Sequence, residues 1–220
     1  MIYLVTTTAA AAAAAIIVVW LAMSLRHAIT VSSGRAIDSA ERLGTALLVV
    51  DVQPDFLGLY ESAARARALD EVRGAVARAR AEGWPVIAIR QGWQTPGMRL
   101  VARIFARGRG LAWQPGTEVL PEVAAAADHI VNKRVQDSFE TGELDDLLQR
   151  LRIGRLVVTG LDGCACVRTT ALAALRRGYK VAIVQRAVLS TAPSRWARVA
   201  VDLARRGAAI VDLPAALPAR

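Results

Sequence analysis

The only two thiols of the chain, Cys164 and Cys166, stand one residue apart in the stretch GLDGCACV, Gly160–Val167. A disulfide between them would need strained geometry, because side chains two residues apart diverge in most backbones. A metal site would need further soft or imidazole ligands. The chain has only two histidines, His27 and His129, far apart in sequence, so no metal is expected. A free cysteine is then either core filler, since free thiols are among the most buried side chains, or a nucleophile. Core filling suits Cys164. Cys166 falls near the first turn of an expected helix, where the helix dipole and free N–H groups would favour a thiolate. The glycine-rich loop before it offers N–H groups for an oxyanion hole. On the residues alone, nucleophile and core filler stay equally open for Cys166.

A second chemical signal is the scarcity of lysine. Of 28 basic residues only Lys133 and Lys180 are lysines, and the rest are arginine. Lysine supplies a compact, tunable ammonium that arginine cannot. Rarity alone favours two ordinary surface charges.

These groups need elements to position them. TALLVVD (from Thr45), WPVIAIR, HIVNK, RLVVTG, KVAIVQ and AAIVDL read as six short buried strands. Between them apolar residues recur at helical spacing: Leu69, Val72, Val76 and Ala79, closed by Gly83; Leu144, Leu147, Leu148 and Leu151, capped by Thr141 and closed by Gly154; about Ala165 to Arg177, closed by Gly178; and Trp196, Val199 and Leu203. Strands alternating with helices predict an α/β fold: a three-layer, doubly wound parallel sheet of about six strands with helices on both faces. In such sheets functional groups gather at the carboxyl ends of the strands, beside the point where the winding reverses. Asp51 ends the first strand, Lys133 ends the third, and Cys166 follows the fourth by a tight loop. Three complementary groups are expected to converge there.

A chain of 220 residues with 54% hydrophobic content holds one ordinary domain and an appendage. The appendage is the run Ile2–Leu25, which lacks any charged side chain and is long enough to span a bilayer. Trp20 suits the interface. No positive region precedes Ile2, as a secretory signal would require. Arg26, Arg35 and Arg42 follow the span and predict a single-pass protein of the cell membrane with everything after Arg26 in the cytoplasm, the alternative being a buried or disordered alanine-rich leader. The expected division is an anchor over 1–25, a linker over 26–44, a domain over 45–213 and a tail over 214–220. The net charge of +9 comes without an aromatic-interleaved basic patch, so no nucleic-acid partner is expected. The segment MRLVARIFARGRGLAW places Met98, Val101 and Phe105 on one helical face among Arg99, Arg103, Arg107 and Arg109. A headgroup contact, a lid, an oligomer contact and a solvated face are all open for it.

The motifs ALLVVDVQPDF (Ala46–Phe56), VNKRVQDSF (Val131–Phe139) and LVVTGLDGCACVRTTALAALRRGYKVAIV (Leu156–Val184), in this order, resemble the isochorismatase-like cysteine hydrolases. That family includes nicotinamidases, N-carbamoylsarcosine amidases and isochorismatases. The resemblance spans nearly all of Thr45–Leu213 and implies an Asp51–Lys133–Cys166 triad, with Cys166 rather than Cys164 as nucleophile. It implies a cis peptide at Leu161–Asp162 and an oxyanion hole from the N–H groups of Asp162 and Cys166. Gly163 and Cys164 depart from the family's usual Thr-Asp, and Asp162 from a small apolar residue. IRQGWQTPG lacks the Asp-x-His and second histidine that hold metal in nicotinamidases, and isochorismatase's vinyl-ether hydrolysis needs no cysteine. The resemblance therefore implies a hydrolase of a small amide, imide or ureido compound, with no cofactor; joined to the apolar N-terminal run it gives a membrane-tethered enzyme, expected as a homo-oligomer. Gln53, Phe56, Trp93, Trp113 and Phe139 are the expected pocket residues. The alternative is a catalytically eroded, anchored binding protein.

Overall fold

A computed structural model describes residues 2–212, so the expected tail over 214–220 lies outside the described residues. Six strands form one sheet: β1 Gly44–Val50, β2 Val86–Gln91, β3 His129–Lys133, β4 Ile153–Gly160, β5 Lys180–Val188 and β6 Ala209–Val211. All neighbours are parallel and the order is β3-β2-β1-β4-β5-β6. The winding therefore reverses between β1 and β4, which opens a crevice at their carboxyl ends.

Side chains alternate across each strand, and the two faces of β1 show where each layer sits. Ala46, Leu48 and Val50 pack with Leu144 and Leu148 of α6 (Glu143–Arg150), Ala171 of α7 (Arg168–Arg176) and Leu203 of α8 (Pro193–Arg205). Leu47 and Val49 pack on the other side with Val72 and Ala79 of α3 (Ser62–Ala81) and Val123 of α5 (Pro121–Ala126). Both faces are covered, which is why the strands read as continuous apolar runs. The helix before β4 stops earlier than expected: Arg152 adopts φ 52° and the chain enters β4 at Ile153, leaving Gly154 inside the strand.

Helix α1 spans Ile2–Ile29, and its stretch Ala12–Ile29 has a mean hydropathy of 1.8, long and apolar enough to cross a membrane. Its last turns lie against α4 (Pro96–Phe105), where a Cβ on Gly97 would overlap the Ser24 side chain. The segment expected as a linker, 26–44, makes contacts with the domain. The Ile37 N–H donates to Arg177 O at 2.7 Å, and Arg177 Nη1 donates to Ser32 O at 3.3 Å. Arg177 is buried, forms a two-pronged pair with Asp145 at 2.7 and 2.9 Å, and lies over the Phe139 ring at 4.5 Å. An arginine buried this way needs several acceptors, and the strap supplies one.

Candidate active site

Asp51, Lys133 and Cys166 come together at the carboxyl edge. Lys133 Nζ lies 2.9 Å from Asp51 Oδ2 and 3.2 Å from Cys166 Sγ. It also donates to Gln91 Oε1 at 2.5 Å and Val135 O at 3.2 Å. β3 is separated from β1 by β2, roughly 10 Å away at the usual strand spacing. The long lysine stem crosses that gap, passing Gln91, which pairs with Lys133 in register. All three side chains belong to buried residues. Asp51 holds φ 55°, a left-handed conformation that aspartate tolerates and that turns its carboxylate out of the strand.

Cys166 lies within a π turn, Gly163–Val167, that leads into α7. Gly160, at φ 110°, lets β4 close on β1: a Cβ there would stand 2.6 Å from Val50 N. The Leu161–Asp162 peptide is cis. Two of the three departures in the loop, Asp162 and Gly163, acquire physical reasons. Asp162 accepts from the Cys164 N–H at 2.7 Å, the Thr191 N–H at 2.7 Å, Thr191 Oγ1 at 3.0 Å and Tyr60 Oη at 3.1 Å, so its carboxylate caps the turn and ties it to the segment after β5. Gly163 is replaced in space by the indole of Trp196: a Cβ would lie 2.8 Å from that ring. The Cys164 thiol has different partners from Cys166: Ser190 Oγ lies 3.4 Å from its sulfur, and the thiol faces Ala192 O.

Burial pushes the Asp51 carboxyl up, and the nearby Lys133 ammonium offsets this only in part. Burial would pull Lys133 down, but its neighbours, Asp51 first among them, outweigh it and raise it instead. The Cys166 thiol is pushed well above its ordinary range, first by burial and then by the Asp51 charge. The helix terminus therefore does not yield the low-pKa thiolate expected from its position; burial beside a carboxylate dominates. Iodoacetamide labelling of Cys166 is expected to stay slow through neutral pH and to climb only above the range where ordinary cysteines titrate. Peptide mass spectrometry across a pH series reads this, and a rate plateau at acidic pH would show a stabilised thiolate instead.

A pocket of about 450 Å³ opens over the thiol. Phe56 and Trp93 line it with Leu59, Tyr60, Gln136 and Ile29. The other three expected lining residues stand elsewhere. Gln53 is a buried brace, donating to Gln91 O at 3.0 Å and Thr117 O at 2.8 Å and accepting from the Gln91 N–H. Phe139 packs on Tyr179 and Arg177. Trp113 is 71% exposed and lies against Arg90, 5.2 Å from guanidinium carbon to ring centroid. Sequence reasoning missed Gln91, whose only signal is its place at the end of β2. It also missed Arg168 and Arg195, which line the same pocket. A larger hollow of about 680 Å³ lies at the amino ends of the strands, by Gly44, His129 and Ile153, and contains no thiol. Among the described residues no three His, Cys, Asp or Glu side chains gather as a metal site.

A doubly wound parallel sheet with a buried cysteine, lysine and aspartate at its reversal point defines a class of cysteine-centred α/β domains. Comparison narrows the class, because the isochorismatase domain matches residues 45–215. The chain belongs to the isochorismatase family. It is 35% identical over 140 residues, and 32% over 160, to two proteins named streptothricin hydrolase from Streptomyces noursei. Those matches cover 63% and 72% of this chain but 47% and 59% of the relatives, so the chain spans about half the length of these curated relatives. A solved N-carbamoylsarcosine amidase from Thermoplasma acidophilum is 26% identical with a TM-score of 0.67, over 77% of this chain and 96% of that one.

Proposed function

We propose that the chain is a cysteine hydrolase cleaving the C–N bond of a small amide, imide or ureido compound. The observation that carries this is Lys133 Nζ held between Asp51 and Cys166, two residues that line a pocket. Asp51 Oδ1 is buried without a hydrogen-bond partner, and so is available to take the thiol proton as sulfur attacks the carbonyl carbon. Lys133 keeps the carboxylate in place and balances the sulfur's developing charge. The N–H groups of Asp162 and Cys166 receive the oxyanion, and the Asp162 N–H makes no backbone hydrogen bond among the described residues. Asp51 passes its proton to the leaving nitrogen as the C–N bond breaks, which leaves a thioester. Water, deprotonated by Asp51, attacks that carbon; the S–C bond breaks and the thiol regains its proton. Arg168 and Arg195 at the pocket favour a substrate carrying negative charge.

Because the Asp51 carboxyl is shifted upward, this mechanism loses its base at pH values above the usual carboxylate range as pH falls. The test is a screen of small amides and ureido compounds, with streptothricin and N-carbamoylsarcosine included for the relatives' sake, run beside Cys166→Ala. Turnover surviving in that variant would overturn the mechanism.

The same proposal has α1 as a single-pass anchor, with Arg26, Arg35 and Arg42 on the cytoplasmic side together with the catalytic domain. Full-length protein is expected to stay with membranes after alkaline carbonate extraction. Release into the soluble fraction would count against the anchor.

A further inference from the structure

The family match begins at residue 45, yet Ile29, at the end of α1, lines the pocket over Cys166. This placement is held by two hydrogen bonds and one close polar contact to the loop that follows Lys133. Ala28 O accepts from the Gln136 N–H at 2.9 Å. The Ser32 N–H donates to Asp137 Oδ2 at 2.7 Å. His27 Nε2 lies 3.4 Å from Glu140 Oε1. Asp137 is completely buried, and its other oxygen accepts from the Phe139 N–H at 2.9 Å. A buried carboxylate with one oxygen committed to the N-terminal segment would be left with an unmet charge if that segment came away. Ala28 itself is buried, although α1 around it is exposed. The helix end is therefore built into the domain rather than resting on it.

We propose that the last turn of α1 is a specificity wall of the active site, added to the family domain by this chain's own N-terminal segment. Ile29 limits the size of the group that lies beside the reacting carbon. Together with Phe56, Leu59 and Trp93 it selects an amide bearing an apolar substituent, because an apolar wall discriminates by fit and by water excluded. The inference rests on Cys166 as the reacting thiol, and it concerns a segment that lies before the family match at 45–215.

Alkylation tests the wall without a known substrate. Full-length protein in detergent is treated at alkaline pH with iodoacetamide and with a bulky N-naphthyl iodoacetamide, and labelling is located by peptide mass spectrometry. Ile29 is 58% exposed, so its replacement spares folding. Ile29→Ala is expected to raise the bulky-to-small rate ratio at Cys166 severalfold, and Ile29→Trp to lower it about tenfold. An unmoved ratio in both variants overturns the proposal. Failure of Cys166 to react with either reagent strikes at the nucleophile assignment instead. The wall is then read by the same ratio at Cys164, which lines the same pocket, and again an unmoved ratio rejects it.

Discussion

Cys166→Ala is expected to lower turnover by at least about 10³-fold, because removing a covalent nucleophile leaves only binding and the oxyanion hole. The fold should survive it. The substitution removes only the sulfur from a site 8% exposed and keeps Cβ, and Lys133 keeps its bonds to Asp51, Gln91 and Val135. Unchanged urea denaturation together with lost turnover separates chemistry from collapse. Cys166→Ser is the sharper control. It keeps a donor beside Lys133 and Asp51 but offers a far weaker nucleophile, so activity should stay lost. If serine restored turnover, the hydroxyl would be acting as a general acid and the thioester route would be wrong.

Lys133→Met is expected to be the most damaging substitution for stability, costing about 3–5 kcal/mol. Asp51 would keep its burial and lose its only countercharge. The loss should depend on pH with a definite sign. Without the ammonium, the folded-state pKa of Asp51 rises further above its unfolded value. The deficit is full above that raised pKa and shrinks as pH falls and the folded protein takes up a proton. Asp51→Asn combined with Lys133→Met should recover most of the stability, since both charges are then gone, while turnover stays absent. Denaturation midpoints of the four proteins of this cycle give the coupling. Additive effects of the two substitutions would show that Asp51 and Lys133 do not interact in the folded protein.

The strands were legible because each is covered on both faces, which writes unbroken apolar runs such as Ala46–Val50 and Leu156–Val158 into the chain. With strands placed, the residues just past their ends follow from counting, and Asp51, Lys133 and the Cys166 turn could be named. The pocket walls were harder, because an aromatic or amide near a motif looks the same whether it faces a cavity or the core. Phe139 and Gln53 went inward to meet Tyr179 and the Gln91 backbone, and Trp113 turned out to solvent.

What the sequence alone determined is local: periodicity, strand ends, the glycines at the tight turns, and the rarity of cysteine and lysine. Only the tertiary structure decided the quantities that depend on what lies across space. The upward shift of the Cys166 thiol arises from burial beside Asp51, 115 positions away by residue number. The use of Asp162 as a loop anchor needs Thr191 and Tyr60. The seat of Ile29 over the thiol depends on a bond from Ser32 to Asp137. Electrostatic environment and cavity shape are sums over neighbours, and which residues become neighbours is set by how the strands order themselves in the sheet.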